Sequence, residues 1–298
     1  MTQELAYRLG GAQSEELPRG GPGALRRLAS KPLGVIGLVI VVGLIVLMFV
    51  GPSLMKHDYD TADPVQRLEG PSWEHPFGTD NLGRDVLSRM VWGTRISIAI
   101  GFGSVALALV VATTIGLLSG YVGGWIDTVL QRLVDVWMSF PGLILALTLV
   151  TMFGAGYTSL LIAIGLVLGG AISRVVRSAA LSTRDTDYVQ AARVLGAGPI
   201  RLLLRHVLPN IVPVLIVLAS VQVGSAILLE ATVSFLGYGV PPPEPSWGSM
   251  LAGDARSFML QQPLLSLWPG IAIFLAVYGF NMLGDALRDV LDPRLRGA

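Results

Sequence analysis

A chain of 298 residues that is 52% hydrophobic and only 14% charged is not an ordinary soluble domain, in which about a quarter of residues carry charge. It contains no cysteine, which excludes disulfides, thiolate nucleophiles and thiolate metal sites and leaves the redox compartment unread. A formal net charge of +1 offers nothing to a polyanion such as nucleic acid, so a polytopic membrane protein with the lipid bilayer as its solvent is the expectation.

Residues 1–30 are polar, with Arg8, Arg19, Arg26 and Arg27 among the glycines and prolines of residues 18–23. No apolar secretory core precedes Pro32, so this stretch reads as an unprocessed tail, with an interfacial helix near residues 24–29. The first span opens at Ser30 as N-cap with Pro32 just inside, and residues 33–55 run uncharged. That suffices for a hydrocarbon core of about 30 Å, which takes roughly 20 helical residues.

Residues 56–95 are polar and acidic. Within them HPFGTDNLGRDVLSR, residues 75–89, starts with turn residues and continues as a short amphipathic helix capped at Thr79 or Asp80. A solvated elbow on the membrane surface and a contact site both stand as readings.

Five further apolar runs follow, at about residues 96–121, 133–153, 157–173, 211–236 and 264–283. With the first they make six spans. The third is interrupted by Pro141 and bounded by Asp135, which predicts a kink; whether Pro141 lines a pathway is open. Small-residue faces at Gly101, Gly103 and Ser104, and at Gly165, Gly169 and Gly170, suit close helix packing in lipid.

Between the fourth and fifth runs, within residues 180–210, lies DYVQAARVLGAGPIRLLLRHVLPN, residues 187–210. It holds Asp187, Arg193, Arg201, Arg205 and His206 and so must sit outside the bilayer. The residue types predict two short helices around a corner. The first closes on Gly196 in the left-handed conformation, Pro199 opens the second, and Pro209 ends it. Arg201 and Arg205 share one face of the second helix, with Ile200, Leu203, Leu204 and Val207 on the rest. Ala191 and Ala192 leave room for a close-packed neighbour.

Six spans put both termini on one side. Assigning the tail with Lys31, Arg132, the basic residues from Arg174 to Arg205 and the C-terminal stretch to that side gives it fifteen of the 21 basic residues. Cytoplasmic loops carry the lysine and arginine excess, so the termini and residues 180–210 are expected in the cytoplasm, and residues 56–95 and 237–263 outside. In the latter, PPPEPSWGSM, residues 241–250, begins too proline-rich for a helix. Trp247 there either anchors at the headgroups or projects toward a partner or pore mouth.

Glu230 is the one carboxylate well inside a span, about 19 residues into its run, or roughly 28 Å along a helix and hence near the outer end. A structural hydrogen bond or interface contact is favoured there over substrate handling. The chain has two lysines, Lys31 and Lys56, neither in a Gly-x-x-x-x-Gly-Lys-Ser/Thr string, so it has no P-loop of its own. His57, His75 and His206 are far apart in sequence, and no metal site is expected.

The loop resembles the EAA loop of binding-protein-dependent ABC importers. Ala191, Ala192, Gly196, Leu208 and Pro209 match at the right spacing, while Gln190 stands where that motif has Glu and His206 where it often has Ile. The strings at residues 75–89, SFLG at 234–237, PSWG at 245–248 and NMLGDALRDVLDPR at 281–294 are similar to the dipeptide, oligopeptide and nickel permeases. The resemblance implies an all-α membrane protein with the type I ABC importer permease fold, six transmembrane helices and both termini cytoplasmic. Its domains would be a cytoplasmic tail, residues 1–30, and a transmembrane domain, residues 31–298.

It also implies the C-type subunit of a permease pair in a prokaryotic cell membrane. A sister permease subunit, two ATP-binding subunits and an external substrate-binding protein would be its partners. ATP and Mg would be bound by the ATP-binding subunits, leaving this chain without cofactor and without enzymatic activity. The coupling residues would be Gln190, Ala191, Ala192, Gly196, Pro199, Arg201, Arg205, His206, Leu208 and Pro209. Short peptides are the implied cargo, nickel or another small solute the alternative. An ion-coupled transporter or channel, the other class considered, calls for paired charges or unwound helices at midplane; this sequence concentrates its polar residues in one loop instead.

Overall fold

Within lipid every backbone N–H and C=O must find a partner in its own segment, so apolar runs of this length become helices. The computed structural model of the chain describes residues 31–291, and among these there is no strand, only an isolated bridge between Thr79 and Asp85. Ser30, the expected N-cap, and the expected helix at residues 24–29 lie outside the described residues. The observed N-cap is Lys31, with Pro32 as the first residue of α1, Pro32–Leu54.

The helices that follow are α2 (Val86–Val122), α3 (Gly124–Met138), α4 (Gly142–Phe153), α5 (Tyr157–Arg184), α6 (Asp187–Val194), α7 (Pro199–Tyr238), α8 (Trp247–Ala252), α9 (Asp254–Phe258) and α10 (Leu264–Leu291). Five are long and apolar enough to cross a membrane, or six if the bent pair α3 and α4 counts as one. Lys31 pairs with Asp289, so α1 begins where α10 ends. That end, which also carries α6, is the basic end; the opposite one is the elbow end.

The packing is made by small residues. A Cβ on Gly37 would lie 2.6 Å from the Leu283 backbone nitrogen and 2.9 Å from the Gly279 carbonyl oxygen, so only glycine lets α1 approach α10 this closely. Gly165 on α5 sits likewise against the Ser104 carbonyl oxygen of α2, at 2.9 Å, and Gly101 on α2 faces Ile227 of α7. The expected small-residue faces are therefore helix contacts.

Four boundaries differ from the expectations, each for a physical reason. The third run bends more sharply than a kink: α3 and α4 meet at 90°, with Pro141 as the N-cap of α4, because proline cannot continue the ladder of α3. The helix after the elbow is capped by Asp85, whose carboxylate accepts the Ser88 N–H at 2.7 Å. Thr79 and Asp80 are used earlier, in the turn that precedes it. The fourth run extends past residue 173 to Arg184, since Arg174 pairs with Asp135 and Arg177 with Asp127 on α3. Pro209 ends no helix, and α7 runs from Pro199 through Pro209 and Pro213. A π turn at Leu203–Val207 widens the helix just ahead of Pro209, where the ring would otherwise meet the carbonyl four residues back.

Candidate functional site

The loop at the basic end is a built corner. Thr186, extended, caps α6, and Leu195 closes it. The Gly196 N–H donates to the Arg193 carbonyl at 3.0 Å and the Ala197 N–H to the Ala192 carbonyl at 3.1 Å, which is the Schellman pair. Gly196 holds φ at +84°, the conformation side chains with a Cβ avoid. Gly198 then caps the first turn of α7, with Pro199 as its first residue.

Three buried side chains, Val189, Leu202 and Val207, hold this corner to the bundle, and half-buried Leu208 packs beside Val207 and Ile211. Below them α5 is clamped to α3 and to the end of α2. Arg177 donates two hydrogen bonds to Asp127, at 2.6 and 2.5 Å, and Arg184 donates to the Gly120 carbonyl at 3.2 Å. Sequence reasoning did not single out Asp127, an acid in an amphipathic helix like many others.

What the corner presents outward is unusual for a polar loop. Val194 and Leu195 are 88% and 87% exposed, and Ile200 and Leu204 are 72% and 55% exposed. Arg193, Arg201 and Arg205 are exposed around them. The corner thus exposes an apolar tip rimmed by cations.

Gln190 accepts from Arg193 Nη1 at 3.3 Å, so it braces the helix beside the tip. Ala191 is exposed and Ala192 half-buried, and their carbonyls accept from Leu195 and Ala197. His206 lies half-buried within the π turn and its carbonyl accepts from Asn210 Nδ2 at 2.6 Å; Pro209 is exposed. All ten of the expected coupling residues thus lie on this corner or the turn that follows. Val194 and Leu195 were missed, although two apolar residues directly before a corner glycine in a charged loop were a legible signal.

Glu230, Trp247 and Pro141 lie elsewhere. Glu230 is fully buried. It accepts from Ser234 Oγ at 2.7 Å and Ser97 Oγ at 3.1 Å, and the same Ser97 Oγ accepts the Trp247 backbone N–H at 3.2 Å. Trp247 is 1% exposed and donates its indole N–H to the Met90 carbonyl at 3.2 Å. Buried in this way, it neither anchors at the headgroups nor projects toward a partner or pore mouth, the alternatives that the sequence left open. Together these groups bolt α8 onto α2 and α7 at the elbow end, a buried network in which the Ser97 and Ser234 hydroxyls and both Trp247 N–H groups find acceptors. Pro141 is exposed at the break between α3 and α4, far along the chain from both.

The elbow is more than a solvated strap. His75, Thr79, Asp80, Arg84 and Asp85 are buried. His75 bonds Asp85 through Nδ1 at 2.9 Å and Gln66 through Nε2 at 2.6 Å, and Phe77 stacks on Trp268 of α10 at 4.1 Å. The rings of His57 and His75, distant in sequence, lie 4.8 Å apart between centroids, tilted by 35°. Even so, among the described residues no group of three or more His, Asp or Glu side chains converges as a metal site would.

The fold and the corner define a class, the transmembrane permease of the type I ABC importer architecture. The chain superposes on one of the inward-facing MetNI methionine ABC transporter with a TM-score of 0.58 and 18% identity, over 68% of this chain and 96% of that one, a likeness of fold alone. The family described as binding-protein-dependent transport system inner membrane component matches residues 112–297, and that described as N-terminal TM domain of oligopeptide transport permease C matches residues 23–71. The chain belongs to the binding-protein-dependent transport system inner membrane component family.

Among its relatives are the dipeptide transport system permease protein DppC of Alkalihalophilus pseudofirmus and the glutathione transport system permease protein GsiD of Pectobacterium atrosepticum. Each is 41% identical, over 92% and 91% of this chain and 90% of the relative. A probable D,D-dipeptide transport system permease protein, DdpC of Escherichia coli, is 40% identical over 91% of this chain and 90% of its own length.

Proposed function

We propose that this chain is one permease subunit of an ATP-driven importer of short peptides, paired with a sister permease subunit in a prokaryotic inner membrane. The observation that carries the reading is the corner at Gly196, with its exposed apolar tip of Val194, Leu195, Ile200 and Leu204 and its arginine rim. Two ATP-binding subunits, which hold ATP and Mg, take up that tip on the cytoplasmic side. Their closure moves α6 and the start of α7 as a unit. Because α7 is helical from Pro199 through the π turn to Val233, motion at the tip reaches the buried Glu230 network toward its far end.

Both termini are cytoplasmic in this reading, supported by the 15 basic residues assigned to that side among the 21 of the chain. An external binding protein delivers cargo at the elbow end. Short peptides are supported as cargo by the relatives whose names specify dipeptide, D,D-dipeptide and glutathione transport. The test is uptake by the reconstituted four-subunit complex with its binding protein. Saturable, ATP-dependent accumulation of a labelled dipeptide is expected. A complex that couples ATP turnover to another solute and ignores di- and tripeptides refutes the substrate assignment.

A further inference from the structure

At the elbow end a cavity of about 570 Å³ opens between α1, the first turns of α2 and the start of α5, well inside the size range of about 300–1,000 Å³ for small-molecule sites. Its walls change character along the membrane normal. The lower wall is Met48 and Phe49 of α1 with Ile96 and Ala99 of α2. Phe49 is 70% exposed, and only 17% of the apolar window of α1 is buried, so this side of the groove has hydrocarbon as its ordinary solvent.

The upper wall is aromatic and charged. Tyr59 and Trp92 pack at 4.8 Å, Tyr157 closes the rim, and the Arg95 guanidinium stands 5.8 Å from the Trp92 ring. Glu244 reaches the same cavity from the proline-rich segment. Both Arg95 and Glu244 are exposed, and among the described residues neither forms an ion pair, with the other or with a third group. Burial, followed by the negative charges of Glu244, Asp58 and Asp60, pushes the Tyr59 phenol up, so at neutral pH it remains an O–H donor.

We propose that this cavity binds a phospholipid whose headgroup carries a primary amine, with Arg95 facing the phosphate and Glu244 the ammonium. An apolar floor on the exposed side of α1, an aromatic collar and two opposite charges that do not pair with each other match an amphiphilic zwitterion. A guanidinium suits phosphate in particular, because its planar fork pairs two oxygens at once. A free peptide terminus would share the charges but leave the apolar floor unfilled.

The test is native mass spectrometry of the assembled transporter, given phosphatidylethanolamine, phosphatidylcholine and phosphatidylglycerol in equal amounts. Retention of phosphatidylethanolamine is expected to exceed that of phosphatidylcholine about tenfold, the scale of one charge-assisted hydrogen bond that a quaternary amine cannot donate. Glu244→Gln should erase that preference and leave phosphatidylglycerol unchanged. Arg95→Gln should lower all three, and Arg95→Lys should restore much of the loss, which separates phosphate binding from misfolding. Equal retention of the three lipids by the wild type, or an unchanged profile in Glu244→Gln and Arg95→Gln, overturns the proposal. So does a Phe49→Cys variant that cross-links to another subunit in membranes, since a protein then covers the groove.

Discussion

Gly196→Val separates backbone strain from lost contact unusually well. No atom lies within 4 Å of a Cβ built on Gly196, so the substitution meets no steric barrier and removes no packing. What remains is φ of +84°, which costs a non-glycine residue about 1–2 kcal/mol and a β-branched one more. The corner is held by two Schellman hydrogen bonds, each contributing about 0.5–1.5 kcal/mol net. Strain and restraint are thus of similar size, so the valine should lower the equilibrium constant for forming the native corner about 5- to 30-fold and leave the corner only about half populated. The spans are untouched, so insertion and abundance should be normal. In proteoliposomes, uptake should fall by about half or more, and stimulation of ATP hydrolysis by loaded binding protein should weaken to the same degree. Gly196→Asn, which tolerates the left-handed region, should retain most of both activities. Wild-type uptake with intact stimulation in the valine variant would show that the corner transmits nothing.

Other consequences follow from the same geometry. Leu195→Asp places a charge on a side chain 87% exposed in the isolated subunit; if a partner buries it, lost transfer energy of about 1.5–3 kcal/mol should reduce co-purification of the ATP-binding subunits at least tenfold while membrane insertion is unchanged. Glu230→Leu leaves the Ser97 and Ser234 hydroxyls without their acceptor, at about 1–3 kcal/mol each, and should lower the thermal midpoint of the purified complex by several degrees, with Glu230→Gln lowering it less. For sidedness, a cysteine replacing the fully exposed Trp73 should react with an impermeant thiol reagent in cells with a permeabilised outer envelope, whereas one replacing Val194 should react only after the inner membrane is opened.

Much of this molecule was legible in its sequence because lipid simplifies the code: uncharged runs of span length become helices, and charge is confined to what lies between them. The corner at Gly196 was readable for the same reason as any turn, since glycine and proline fix the backbone locally. What was not readable depended on partners distant in the chain. Ser97 is unremarked in sequence until Glu230 and Trp247 close on it from more than a hundred residues away. His75 reads as a turn residue until Asp85 and Gln66 bracket it. Proline misled in both directions. Pro141 breaks a span more completely than a kink, at 90°, while Pro209 breaks nothing because a π turn precedes it.

The central claim, that the tip at Val194 and Leu195 is where the ATP-binding subunits engage, is tested most directly by a photo-activated cross-linker at position 195 in the complete transporter in native membranes. The account predicts a single major adduct with an ATP-binding subunit, whose yield changes when ATP is trapped. An adduct with the external binding protein, or labelling by lipid alone in a complex that transports normally, would contradict it.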